Sequence, residues 1–422
     1  MPGIKYEDDR LTIDGTPAHE IAQAVGTPVY VYSAETIRAR LAQLRRGMAE
    51  LEPQIRYAVK ANANATLLAL LRDEGVGFDL VSGGELRKVL RAGADVSRCV
   101  FPGVGKQDWE IREALREGIG AVHVESESEF ERVAWCADAE GVGARVALRL
   151  NPDVHVDTHA FITTATQDNK FGVDLGTAER LVGRIADDAK LTLVGYHVHL
   201  GSLLFEAEPY LTACKRVLEF IDGDAARSDG VTYYDCGGGY GSSGPFSDEL
   251  FDFASLCEGL ADLLPPRDLS LVCEPGRFLL GDAGVLLSEV VHVKEVATKR
   301  FVVVDAGMND LIRPSLYRAE HEIRPVVSSG PALPVPTDVV GPICESTDFL
   351  GKGRELPAIE RGELLAIFSA GAYGASMASN YNARPLPAEV LCGDGAPRCI
   401  RRRQTIEDLW RDEVDEPLGS AL

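Results

Sequence analysis

At 422 residues the chain is longer than one hydrophobic core usually covers, and its length predicts two domains. Its composition, 45% hydrophobic and 26% charged, is that of a soluble globular protein. The net charge of -22 argues against nucleic acid and anionic membrane surfaces as partners, because both repel acidic proteins, and it leaves the chemistry of any pocket open.

The first residues, "MPGIKYEDDRLTIDG", carry no apolar signal region, and the chain has no run of about 18 apolar residues, so no membrane association is expected. The cysteines (Cys99, Cys136, Cys214, Cys236, Cys257, Cys273, Cys344, Cys392 and Cys399) are scattered without a Cys-x-x-Cys pair. They read as reduced thiols in a cytoplasm rather than as a disulfide framework or a zinc site. "RLTIDG" and "TPVYVYS" look like strands, and a helix over about 34–50 leads into the next region.

From residue 54 to 276 one pattern recurs, a short apolar run ending in polar or glycine residues and then a helical stretch. The runs are "QIRYAVK" (54–60), "GFDLVS" (77–82), "CVFPG" (99–103), "AVHVES" (121–126), "RVALRLN" (145–151), "LVGYHVHLG" (193–201), "YYDCGGG" (233–239) and "LSLVCEPG" (269–276). Amphipathic stretches such as "ATLLALLRDEG" and "GGELRKVLRAG" lie between them and close on glycine, as helices often do. Eight alternating strands and helices predict an α/β fold, a (β/α)8 barrel over 30–285. Beyond residue 285, "VLLSEVVHVKEV", "RFVVVDAGM" and "ELLAIFSAGAYG" are strand-rich, which predicts a β-rich domain over 286–422 that also takes in 1–29. The acidic tail, "TIEDLWRDEVDEP", reads as a solvated helix and terminus.

Catalytic groups of such barrels sit at the C-terminal ends of the strands, and the unusual residues here fall at those ends. Lys60 ends the first run, where it either snorkels to solvent or offers its amine to a pocket. His197 and His199 alternate on the sixth, which suits a metal, a ring stacked on a planar cofactor, or a hydrogen-bonded core histidine. No carboxylate at metal-ligand spacing accompanies them, so no metal is expected. Gly237, Gly238 and Gly239 follow the seventh as a phosphate-approaching loop or a flexible turn. Glu274, in an apolar run, needs a buried partner, either a protonated ring nitrogen or Arg277. An amine able to form a Schiff base, a phosphate cradle, a flat ring and a ring-nitrogen acid together make up the contacts of pyridoxal 5′-phosphate (PLP). Further on, Arg313 and Tyr317 of "NDLIRPSLY" supply a guanidinium and a hydroxyl suited to a carboxylate.

"YAVKANAN", "FDLVSGGEL", "NKFGV", "HVHLGS", "CGGGYG", "CEPGRFL", "VDAGMNDLIRPSLY", "GPICESTDFL" and "AGAYGASMASNYNARPLPAEVL", in this order from about residue 25 to 410, resemble the diaminopimelate decarboxylase family. These are fold-type III PLP-dependent decarboxylases related to ornithine and arginine decarboxylases. The resemblance implies that Lys60 carries PLP covalently, that His199 stacks on its ring and that Glu274 meets the ring nitrogen. Ser202, Gly238, Gly239, Gly276 and Arg277 would surround phosphate and substrate, with Tyr373 contacting both cofactor and substrate. Arg277, Arg313 and Tyr317 would bind the distal carboxylate. Cys344, beside Glu345, would come from the neighbouring subunit of a homodimer as proton donor, a role that suits a thiol.

The implied reaction is decarboxylation of meso-2,6-diaminopimelate to L-lysine, acting at the D-configured centre. A decarboxylase of another carboxylate-bearing amino acid, of the carrier-linked glutamyl or siderophore-precursor type, is the alternative. Glu274 argues against a racemase, which places a cation at the ring nitrogen, and Lys60 with Cys344 argues against a non-catalytic homologue. Thr347 departs from the family's more usual glycine in "CESTD".

Overall fold

The computed structural model describes residues 2–154, 170–223, 230–247, 249–328, 330 and 335–415. Asn169 of "NKFGV" and the tail beyond residue 415 lie outside them. The chain forms two compact units, Arg38–Leu279 and the pair Met1–Ile37 with Leu280–Leu422.

The first unit is a closed barrel of eight parallel strands. They are β1 (Gln54–Ala58), β2 (Gly77–Asp79), β3 (Cys99–Phe101), β4 (Ala121–Val124), β5 (Ala144–Arg149), β6 (Leu191–His197), β7 (Tyr233–Asp235) and β8 (Ser270–Cys273). Each falls within or over one of the eight apolar runs, and the ring closes where Val272 and Cys273 of β8 pair with Gln54 and Ile55 of β1. One apolar cluster draws Val100, Ala121, Ala147, Val194, Tyr233 and Val272 from six of the strands, the interior layering typical of such barrels.

The strands are shorter than the runs, and this moves the functional residues off them. Lys60 sits in a single 3-10 turn, Val59–Ala61, just past β1. His197 is the last residue of β6, so His199 lies in the loop beyond it rather than on the same strand face. Asn62 and Asn64 shape the chain between Lys60 and the next helix. Asn62 Oδ1 accepts from the Asn64 N–H at 3.1 Å, and Asn64 caps the helix Ala65–Asp73 by accepting from the Thr66 N–H at 3.0 Å.

The second unit is β-rich. Its long strand Gly284–Val296 pairs antiparallel with Val29–Ser33, Leu364–Ile367 and Lys299–Val304. Val29–Ser33 also pairs in parallel with Ala388–Cys392, and all five of its residues are buried. The N-terminal segment therefore joins this sheet. Val29–Ser33 belongs here although 30–285 was expected to be barrel, because its backbone pairs on both edges with strands from beyond residue 283. Val29, Val31, Val285, Leu287, Phe368 and Val390 share one core cluster with Ile4, Leu11 and Ile13 of the small N-terminal sheet. In the tail, Glu407–Leu409 makes one 3-10 turn rather than the expected helix.

Candidate active site

The barrel's C-terminal rim encloses a cavity of about 360 Å³, lined by Lys60, Arg149, Phe171, His197, His199 and Glu274 among others. Lys60 Nζ lies 3.0 Å from Asp79 Oδ2 at the end of β2. Burial pushes the Asp79 carboxyl up to about 6, with the Glu274 charge adding to the push and Lys60 opposing it. The amine faces the pocket with a buried acid beside it.

Glu274 follows β8 directly and is 4% exposed. Burial disfavours its charge, but the neighbouring His197, His123 and Lys60 together outweigh that cost, His197 most of all, and hold the carboxyl well below the usual range. His197 Nε2 stands 3.2 Å from Glu274 Oε2. The carboxylate missing from the sequence near His197 and His199 is thus supplied by barrel closure. Ligand atoms of His123, His197 and Glu274 lie within 4.8 Å of one another, all three buried.

His199 is held neutral, since burial drives its pKa well below the usual value and the Lys60 and Arg149 charges act the same way. The Gly238 N–H donates to its Nδ1 at 3.3 Å, which leaves the ring proton on Nε2. A neutral, oriented imidazole suits stacking better than an imidazolium would.

The glycine loop is closely packed rather than flexible. A Cβ on Gly238 would meet the Glu274 carbonyl oxygen at 2.1 Å, and one on Gly239, whose φ is +99°, would meet that of Gly201 at 2.1 Å. Tyr210 Oη donates to the Gly238 carbonyl at 2.8 Å, and Asp235 Oδ1 accepts from the Gly237 N–H at 2.9 Å. Gly238→Ala is expected to cost about 1–3 kcal/mol of stability through overpacking and to weaken PLP binding. Thermal denaturation and absorbance titration would measure both, and a neutral result would return the loop to an ordinary turn. Ser202 follows His199 in the loop after β6, and Gly276 precedes the short helix Arg277–Leu280.

Asp79, Arg149 and His123 were not singled out from sequence. Arg149 ends β5, donates to Glu125 Oε1 and Oε2 at 2.9 and 3.0 Å, and places its guanidinium 4.7 Å from the Phe171 ring. Their signal was a polar residue at the end or centre of an apolar run, the same signal that marked Lys60.

The β-rich unit presents its own cluster. Arg313 is buried at the start of the short helix Arg313–Tyr317, with its guanidinium 5.7 Å from the Tyr317 ring and 5.9 Å from the Tyr373 ring. Tyr373 has φ +56°, a strained conformation for a tyrosine. Cys344 is exposed in a loop clamped at several points. Its N–H donates to Asn382 Oδ1 at 3.0 Å, Tyr381 Oη donates to Glu345 Oε1, and Asp348 accepts from the Ile343 and Met308 N–H groups at 2.6 and 2.7 Å. Asp348 thereby ties the Cys344 loop to the segment leading into Arg313. Thr347 adopts no positive φ, so replacing the family's glycine there strains nothing.

A buried acid with one unpartnered oxygen (Glu274 Oε1 has no hydrogen bond among the described residues), an accessible amine, a neutral ring and a glycine loop without room for a Cβ fit PLP. Comparison with known proteins agrees. Residues 34–281 match the pyridoxal-dependent decarboxylase, pyridoxal binding domain. The chain is 44% identical over 405 residues to a diaminopimelate decarboxylase of Neisseria meningitidis serogroup A, covering 96% of this chain and 99% of that relative. Among solved structures, the diaminopimelate decarboxylase of Helicobacter pylori complexed with L-lysine superposes with a TM-score of 0.88 at 39% identity, covering 93% of this chain and 98% of that one. That of M. jannaschi superposes at 0.92 with 34% identity, covering 99% of this chain and 98% of that one. The chain belongs to the pyridoxal-dependent decarboxylases and, within them, to the diaminopimelate decarboxylase family, with PLP as its cofactor.

Proposed function

We propose that the chain decarboxylates meso-2,6-diaminopimelate to L-lysine and CO2. The observation that carries the reading is a cavity lined by both the Lys60 amine and the Glu274 carboxylate. When bound, PLP supplies an electron sink for the carbanion left by loss of CO2. Lys60 would anchor it, with the Asp79 carboxylate 3.0 Å away to pair the Lys60 ammonium whenever the amine is free. His199 would hold the ring by stacking, and Glu274 would hold the ring nitrogen in its protonated form. Ser202, Gly238, Gly239, Gly276 and Arg277 surround phosphate and substrate, with Tyr373 touching both cofactor and substrate. Cys344 gives its proton to the substrate carbon, with Glu345 beside it at the substrate.

Arg277, Arg313 and Tyr317 hold the distal carboxylate, which ornithine and lysine lack. Arg313→Met is accordingly expected to raise KM for diaminopimelate by about 10- to 100-fold, the worth of a charged hydrogen-bonded pair. The PLP absorbance should stay unchanged; an unaltered KM would remove Arg313 from the substrate site. The protein acts as a homodimer whose partner supplies Cys344, which accords with the exposure of that cysteine. Its free cysteines accord with a cytoplasmic setting. No helix among the described residues is long and apolar enough to cross a membrane.

The test is CO2 release from purified protein given meso-diaminopimelate, ornithine, arginine or glutamate. Lysine formed from diaminopimelate alone is the expected result. Activity confined to a diamine precursor would sink the reading.

A further inference from the structure

Glu274 heads a buried polar chain that the proposed reaction does not use. His197, whose Nε2 stands 3.2 Å from Glu274 Oε2, packs its ring on His123 with centroids 4.7 Å apart. His123 Nε2 lies 3.1 Å from Tyr233 Oη, and the Tyr233 ring carries the Arg56 guanidinium 5.0 Å over its face. Arg56 in turn stands 3.8 Å from Asp235. These residues come from β1, β4, β6 and β7, and all are buried.

The consequence is electrostatic. An isolated carboxylate at the Glu274 position would take up a proton, because burial disfavours its charge. A neutral carboxylic acid would then donate to the ring nitrogen and leave that nitrogen uncharged. An ionised carboxylate instead accepts from a protonated ring nitrogen, the form that withdraws electrons strongly. A group that stabilises the ionised acid therefore decides which of these arrangements holds. His197 is the buried base in contact with Glu274 Oε2, while Oε1 has no partner among the described residues. His123 stays neutral behind it, its pKa driven down by burial and by the His197 charge.

We infer that His197 is a positioning residue: with Nε2 3.2 Å from one oxygen of Glu274 it keeps the carboxylate ionised and leaves the other oxygen for the cofactor's ring nitrogen, with His123 and Tyr233 fixing the imidazole from behind. The inference rests on the reading that the PLP ring nitrogen meets Glu274.

The experiment compares two cofactors on the stripped protein, PLP and 1-deazapyridoxal 5′-phosphate, in which carbon replaces the ring nitrogen. Apparent Kd values come from titration of the visible absorbance. Wild type is expected to prefer PLP. In His197→Leu, which keeps apolar bulk but no donor, PLP affinity should fall by about 10- to 100-fold while affinity for the deaza compound stays as in wild type. His197→Gln, which keeps an N–H donor, should recover the preference. Equal losses for both compounds in a folded His197→Leu would show a merely structural role and overturn the inference, as would a preference untouched by the substitution. If His197→Leu does not fold, His197→Gln decides: a kept preference supports the inference, and a lost one overturns it. Wild type that binds both compounds equally overturns the inference alone. Wild type with no Lys60-dependent absorbance from PLP sinks the functional reading as well.

Discussion

Lys60→Ala is expected to abolish the visible PLP absorbance and to lower kcat/KM by at least about 10³-fold, as removal of a covalent catalytic group does. The structure gives this lysine one pocket-facing post. It stands on a one-turn 3-10 element between buried Val59 and Ala61, with Nζ 3.0 Å from the buried Asp79 carboxylate. Asp79→Asn separates anchoring from charge pairing, because it should retain the absorbance while slowing turnover by about tenfold. It also has a pH signature. Burial raises the Asp79 carboxyl from 3.8 to about 6, so the folded apo-protein holds this proton more tightly than the unfolded chain does. Stability from this group is therefore fully present at acid pH and is lost as pH rises through the window from 3.8 to about 6. Asp79→Asn should stabilise the apo-protein relative to wild type at pH 8 more than at pH 4, as read by thermal denaturation. An equal effect at both pH values would mean that Asp79 carries no buried charge.

Lys60 and Glu274 were legible in the sequence for a shared reason: each is a charged residue closing a run that otherwise reads as buried strand. The barrel was legible because its eight apolar runs alternate with amphipathic helices, a local pattern. What escaped depends on closure in three dimensions. Asp79 reaches Lys60 only because β2 lies beside β1, and Glu274 reaches His197 only because β8 folds back toward β6 and β1 around the ring. Sequence spacing hides both, which is why the two histidines lacked a visible carboxylate. Strand ends escaped too, since an apolar run does not say where pairing stops; Val59 is as apolar as Ala58 yet begins the turn that carries Lys60. Val29–Ser33 reads as a strand from its composition, but its two partners lie more than 250 residues away.

Mixing two inactive variants, Lys60→Ala and Cys344→Ala, is expected to restore activity approaching about a quarter of wild type. In a two-fold dimer with shared sites, random reassociation makes half the dimers mixed, and each mixed dimer has one site with both defects and one with neither. Cys344→Ala alone should still dimerise, bind PLP and show the visible band while losing most turnover. Wild-type-like activity would remove Cys344 from the mechanism. The local structure favours a thiol presented outward. Asp348 and Asn382 hold the Cys344 loop through backbone hydrogen bonds, and Asn382 and Ala383 adopt φ of 55° and 53°, which costs backbone energy. A clamped loop that nevertheless leaves its cysteine exposed, braced by a strained neighbouring segment, is consistent with a thiol presented to a second chain. The mixed sample tests that directly, because each parent supplies the residue that the other lacks. If the mixture is as inactive as its components while both variants are folded and dimeric, Cys344 does not complete the site of a partner.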